Sequence, residues 1–242
     1  MTNKQYDKES GNVLFLILIA VALFAALSYA VTQSTRSGGG SADRETSLLN
    51  SASLTQYPAS LRTSLIRMIL NGAAATELEF NPPADFGTLS LDSLGVFHPN
   101  GGGGVYQRAP AEVMQGSTQG TWHFNGEWTI PDIGLNDAGP GNDIIAFLPG
   151  VSLSVCESIN DRVGIDTTGC NPAGAAVPTL RSASNEALVT SDMDDSYTFP
   201  SSGTTEVLQG DGASCEAFTG QPTGCFNDAT NGNVVYSVLL ER

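Results

Sequence analysis

Lysine vanishes from this 242-residue chain after position 8: Lys4 and Lys8 are its only two. Ten basic residues face 25 acidic ones, for a net charge of −15. A surface that neutralises phosphates needs clustered Lys and Arg, so nucleic acid is excluded as a partner. Histidine is almost as scarce, with only His98 and His123. There is no H-E-x-x-H, no G-x-S-x-G and no G-x-x-x-x-G-K-[ST], which removes the common zinc-protease, serine-hydrolase and phosphate-loop chemistries. The glycines at 101–104 have no lysine after them and read as a turn. His123 reads as a sheet residue, and His98, ahead of Pro99-Asn100-Gly101, as a turn residue. No C-x-x-C occurs, so neither a zinc knuckle nor a redox pair is indicated, and no c-type haem can attach. We expect no catalytic residues and no enzyme activity.

Charge is absent altogether from one long stretch. From Gly11 to Val31 the chain is apolar and uncharged, behind a polar leader ending in Glu9-Ser10-Gly11. As a helix, roughly 19 residues reach about 28 Å, close to the hydrocarbon thickness of a bilayer. Its Val, Leu, Ile and Phe residues contribute on the order of −4 to −7 kcal/mol to insertion. The flanking charges orient it poorly, because Asp7 and Glu9 offset the lysines while Arg36 and Arg44 follow the run.

Behind this run the organisation reads as follows. Residues 1–11 form a leader, 12–33 a transmembrane or stalk helix, 34–42 a Gly/Ser linker and 43–242 a globular head. Within the head a helix capped by Asp43 is expected to align Leu48, Leu49, Ala52, Leu61, Leu65, Met68 and Ile69. Pro58 should kink or restart it, and Asn71-Gly72 should end it. Strand character follows at 77–81, 89–97, 121–124, 127–130, 143–148, 197–199 and 234–240. Asn125-Gly126 signals a hairpin, which would set Trp122 and Phe124 on one face and Trp128 and Ile130 on the other. Residues 153–163 read as a helix with Val155, Cys156, Ile159 and Val163 on one side. The fold class is therefore α+β: an N-terminal helix, then a mostly antiparallel sheet with one or two short helices.

All four cysteines, Cys156, Cys170, Cys215 and Cys225, lie in this head. An even number behind an apolar leader in an acidic, Gly- and Ser-rich domain indicates two disulfides in an oxidising compartment. Of three connectivities, proximity in the chain favours Cys156–Cys170 with Cys215–Cys225. No cofactor is expected. The carboxylates Asp192, Asp194 and Asp195, and the pairs Asn136-Asp137 and Asn142-Asp143, are weak calcium candidates, since calcium takes six to eight oxygens but no EF-hand spacing is present.

A short polar leader, a glycine and an uninterrupted apolar helix resemble the prepilin signal of type IV pilins and of the pseudopilins of type II secretion. The resemblance covers about the first 30 residues, and beyond them only the helix–sheet–disulfide order. It implies cleavage after Gly11 by a prepilin peptidase, leaving Asn12 as the mature N-terminus. It further implies a helix seated in the bacterial inner membrane, a head in the periplasm, and packing of that helix against other pilin-like subunits in a pilus or secretion filament. The family's usual Phe or Met after the glycine is Asn12 here, and its usual glutamate four residues further is Leu16. Loss of that glutamate is similar to minor pseudopilins placed at a filament tip. Two other readings stay open: cleavage after Ser28-Tyr29-Ala30, releasing an exported binding or adhesive domain that starts at Val31, or an uncleaved single-pass anchor.

Overall fold

The computed structural model describes residues 10–134, 143–181 and 206–242. The expected strand at 197–199, the candidates Asp192, Asp194 and Asp195, and Asn136, Asp137 and Asn142 lie outside the described residues. The chain divides into two units, Met1–Thr46 and Ser47–Arg242.

One helix, α1 (Ser10–Leu70), runs through the ranges expected as stalk helix, linker and second helix. The backbone stays helical across 34–42, including three consecutive glycines. Each glycine costs about 1 kcal/mol in a helix interior, but a stretch flanked by helix on both sides needs no new nucleus and gains one hydrogen bond per residue. Pro58 also sits inside α1 without a restart. That continuity corrects the expected register. Leu54, Tyr57, Leu61, Leu65 and Met68 form one buried stripe, while Leu48, Leu49 and Ala52 are exposed. The helix ends as Asn71-Gly72 predicts. Gly72 takes a positive φ of 98°, Ala73 N–H donates to the Met68 carbonyl (3.1 Å) and Gly72 N–H to that of Ile69 (3.0 Å), a Schellman closure.

The stripe of α1 lies in the core on one face of a four-stranded sheet of order β1-β3-β6-β5. Its members are β1 (His123–Asn125), β3 (Ile144–Pro149), β5 (Thr223–Asp228) and β6 (Gly232–Leu240), antiparallel at every step. Alternation divides the strands between two cores. Ile144, Ala146, Leu148, Val235 and Leu239 join the stripe of α1, whereas Ile145, Phe147, Val234, Tyr236 and Val238 face the opposite way. The helix α2 (Leu153–Val163) adds Val155, Cys156 and Ile159 to the first core and ends at Gly164 in the left-handed region, as the 153–163 pattern predicts.

Asn125-Gly126 does not make a hairpin. The Asn125 side-chain oxygen accepts from Glu127 N–H (2.6 Å), which turns the chain out of the sheet. β2 (Trp128–Thr129) then pairs in parallel with β4 (Glu206–Val207) in a separate two-stranded ladder. The expected division of aromatics survives by this other route: Trp122 and Phe124 lie in the first core, Trp128 and Ile130 in the second. Segments 77–81 and 89–97 pair only through a single bridge, Glu79 with Gly95. Their side chains are nonetheless core, with Phe80 stacked on Phe124 at 4.4 Å.

The disulfides are Cys156–Cys225 and Cys170–Cys215, not the two local pairs. Cys156 and Cys225 belong to the core under the helices, Cys170 and Cys215 to the other one. Local pairing would have had to pass through the sheet.

Candidate functional site: the apolar segment of α1

Val13–Thr32 is 20 residues long with a mean hydropathy of 2.7. At 1.5 Å per residue it spans about 30 Å, enough to cross the hydrocarbon of a bilayer. None of it is buried within the protein. Thirteen large hydrophobic side chains stand exposed along it, Phe24 at 75 % among them. A segment of this kind, by length and composition, could be a membrane anchor or a signal sequence.

The local chemistry suits a water-free environment. A helix satisfies its own backbone donors and acceptors, the requirement that hydrocarbon imposes. The hydroxyl of Thr32 donates to the Ser28 carbonyl at 2.7 Å, so this polar side chain is also partnered inside the helix. Ala20, Ala22, Ala25, Ala26 and Ser28 interleave with the large residues and permit close approach of a second helix. Gly11 and Asn12 fall in the first turn of α1, just ahead of the segment.

The remaining candidates have structural duties. His98 accepts from Asn100 N–H through Nδ1 (3.2 Å), lies 3.8 Å from Asp92 and meets the Phe86 ring edge-on at 4.8 Å, all within residues 86–100. His123 is in β1, paired with Phe147. The glycines at 101–104 form a tight turn against α1: a Cβ on Gly101 or Gly102 would collide with the carbonyls of Gly95 or Val96, and the Arg67 guanidinium donates to the Gly102 carbonyl. Among the described residues no group of three or more His, Cys, Asp or Glu could hold a metal ion.

Asp143, one of the weak calcium candidates, is buried and used internally. Its carboxylate accepts from Ile130 N–H (3.2 Å) and Arg242 N–H (3.1 Å). Burial pushes its pKa up to about 6 against the pull of those two donors, with Glu241 adding to the rise and the Arg242 charge opposing it. Sequence reasoning missed Asn160, whose side chain behaves as a strand partner. It accepts from Cys225 N–H (2.8 Å) and donates to the Cys225 carbonyl (2.9 Å) and to that of Ala176 (3.0 Å). Its four-residue spacing from Cys156 on α2 was the available signal.

No family model, curated protein or solved structure matches the chain. What the fold defines is an α+β protein with two disulfides and one N-terminal helix long and apolar enough to cross a membrane.

Proposed function

We propose that this chain is a prepilin-like structural subunit, of the minor pilin or pseudopilin kind. In this reading Val13–Thr32 seats it in a bacterial inner membrane and the disulfide-bonded head lies in the periplasm. The observation that carries the reading is the double use of one helix. α1 is apolar and exposed on every side over twenty residues, and further along supplies the buried stripe from Leu54 to Met68. The small residues of the apolar segment give packing surfaces to neighbouring subunits, where association in lipid rests on van der Waals contact. Leu16 in place of a charged side chain fits a minor subunit that needs no charge pair with a subunit above it.

N-terminal sequencing of the full chain, recovered from membranes and from culture fluid of cells that have a prepilin peptidase, tests this. Asn12 as the first residue of the membrane-held protein is the expected result. Val31 as the first residue of a freely soluble protein would replace the proposal with a secreted binding domain, and an intact Met1 with a simple anchor.

A further inference from the structure

A polar recess lies in the head, well along the chain from the apolar segment. Six residues of the 106–112 stretch, with Gln119, line an open depression of about 540 Å³ on the surface. Its frame is rigid. Ala109 and Gly120 exchange both backbone hydrogen bonds (2.9 and 3.1 Å), Gln107 N–H donates to the Tyr57 hydroxyl on α1 (3.3 Å), and the Tyr106 ring meets Phe97 edge-on at 5.3 Å. On this frame sit four planar polar side chains, Gln107, Arg108, Glu112 and Gln119. All four are exposed, and none has a side-chain hydrogen bond or ion pair with another described residue.

We propose that this recess binds a neutral carbohydrate. The single positive charge of Arg108 offsets the single negative charge of Glu112, so the recess selects neither anions nor cations. Planar amide, guanidinium and carboxylate groups offer paired donors and acceptors, matching the adjacent hydroxyls of a sugar ring, each of which both donates and accepts. Tyr106 supplies the aromatic surface that packs on the apolar C–H face of such a ring. A proline-rich peptide is a poorer fit, since its grooves are lined by several aromatics and Tyr106 is the one aromatic among the described residues that line the recess. Among the described residues Glu112 is the one carboxylate lining the recess, whereas glycoside cleavage uses two, so binding is what we propose here. The proposal does not depend on whether the chain enters a filament.

The test is titration of the full chain, held in a detergent without a sugar headgroup such as lauryldimethylamine oxide, with maltose, cellobiose, lactose and diacetylchitobiose, read by saturation-transfer NMR. The expected result is saturable binding of at least one disaccharide. Tyr106→Ala should weaken it about tenfold or more, and Gln119→Ala several-fold, with Ser60→Ala on the exposed side of α1 unchanged. Because Tyr106 also packs on Phe97, Gln119→Ala is the decisive variant, and its melting temperature should equal that of the parent. Absence of saturable binding for all four sugars up to about 50 mM overturns the proposal. So does binding that Gln119→Ala leaves intact, or uptake of a proline-rich peptide at the same residues.

Discussion

The two faces of the central sheet are closed by different means. Toward α1 the cover is helical: Leu54, Tyr57, Leu61, Leu65 and Met68 from α1, and Val155, Cys156 and Ile159 from α2. On the opposite face Trp128, Ile130, Ile133, Leu180, Leu208 and Phe218 come from short ladders and irregular chain. A helix brings its backbone already satisfied and needs only an apolar stripe. An irregular cover must find a partner for each buried backbone group one at a time. The second face does so with a closed ring of bonds: Asn171 N–H to the Asp211 carbonyl, Asp211 N–H to that of Thr179, and Thr179 N–H to that of Asn171. The Cys170–Cys215 bond lies beside that ring.

The sharpest way to break this contrast is to remove that bond. Its cysteines are 45 residues apart, and the chain-entropy relation assigns a loop of this length about 4 kcal/mol. The Cys170→Ala, Cys215→Ala double variant should therefore melt roughly 10 °C lower, at 2–4 °C per kcal/mol for a unit of this size. Amide exchange should rise first at 165–181 and 208–221, with α1 and α2 still protected. Loss of Cys156–Cys225, whose separation is 69, costs a similar entropy. There the neighbouring Asn160 bonds should keep β5 protected. If both double variants open the same segments, the distinction between the faces is void.

Asn160 gives the next largest effect. It sits on the helical side and closes the edge of β5 by serving both backbone groups of Cys225. Asn160→Ala strands a buried N–H and a buried carbonyl, each worth about 1–3 kcal/mol, so a loss of roughly 3 kcal/mol is expected in chemical denaturation. Asn160→Asp should hurt as well, because the carboxylate can accept from Cys225 N–H but cannot donate to its carbonyl. A loss under about 0.5 kcal/mol in Asn160→Ala would show that the disulfide alone holds the edge.

The same contrast explains what could be read from the residues. α2 is legible because Val155, Cys156 and Ile159 recur at helical spacing and Gly164 stands ready to end it. The turn at Asn71-Gly72 is legible because its left-handed conformation favours glycine. The apolar segment is plain from composition alone. β5 is hidden: no expected strand covers Thr-Gly-Cys-Phe-Asn-Asp, and only pairing with β6 and the Asn160 side chain makes them a strand. Leu54 and Tyr57 stand outside the expected face but share the buried stripe, because α1 runs on through Pro58. The cysteine pairing depends on which segments the sheet separates and the recess on the Ala109–Gly120 bridge, and spacing along the chain carries neither.

The smallest of the three effects lies where the ends of the two ladders meet. Asp143 holds Ile130 N–H, just beyond β2, and Arg242 N–H, just beyond β6, and so ties the separate two-stranded ladder to the main sheet. Its folded pKa of about 6 is raised above the usual carboxylate value near 3.9. The folded state therefore holds its proton more tightly than the unfolded chain does. Its contribution to stability is complete below about pH 4 and is lost as pH rises through 6, on the order of 2 kcal/mol across that window. Glu241, which raises this pKa, also pairs with Arg62 of α1 at 2.9 Å, so the latch is felt on the helical face too. Denaturation midpoints of the parent should fall between pH 4 and 6, and those of Asp143→Asn should change less over the same window. Equal slopes in the two proteins would mean that Asp143 is solvated, and that the irregular face is joined to the sheet by other bonds, such as Leu180 N–H to the Asn227 carbonyl (2.8 Å).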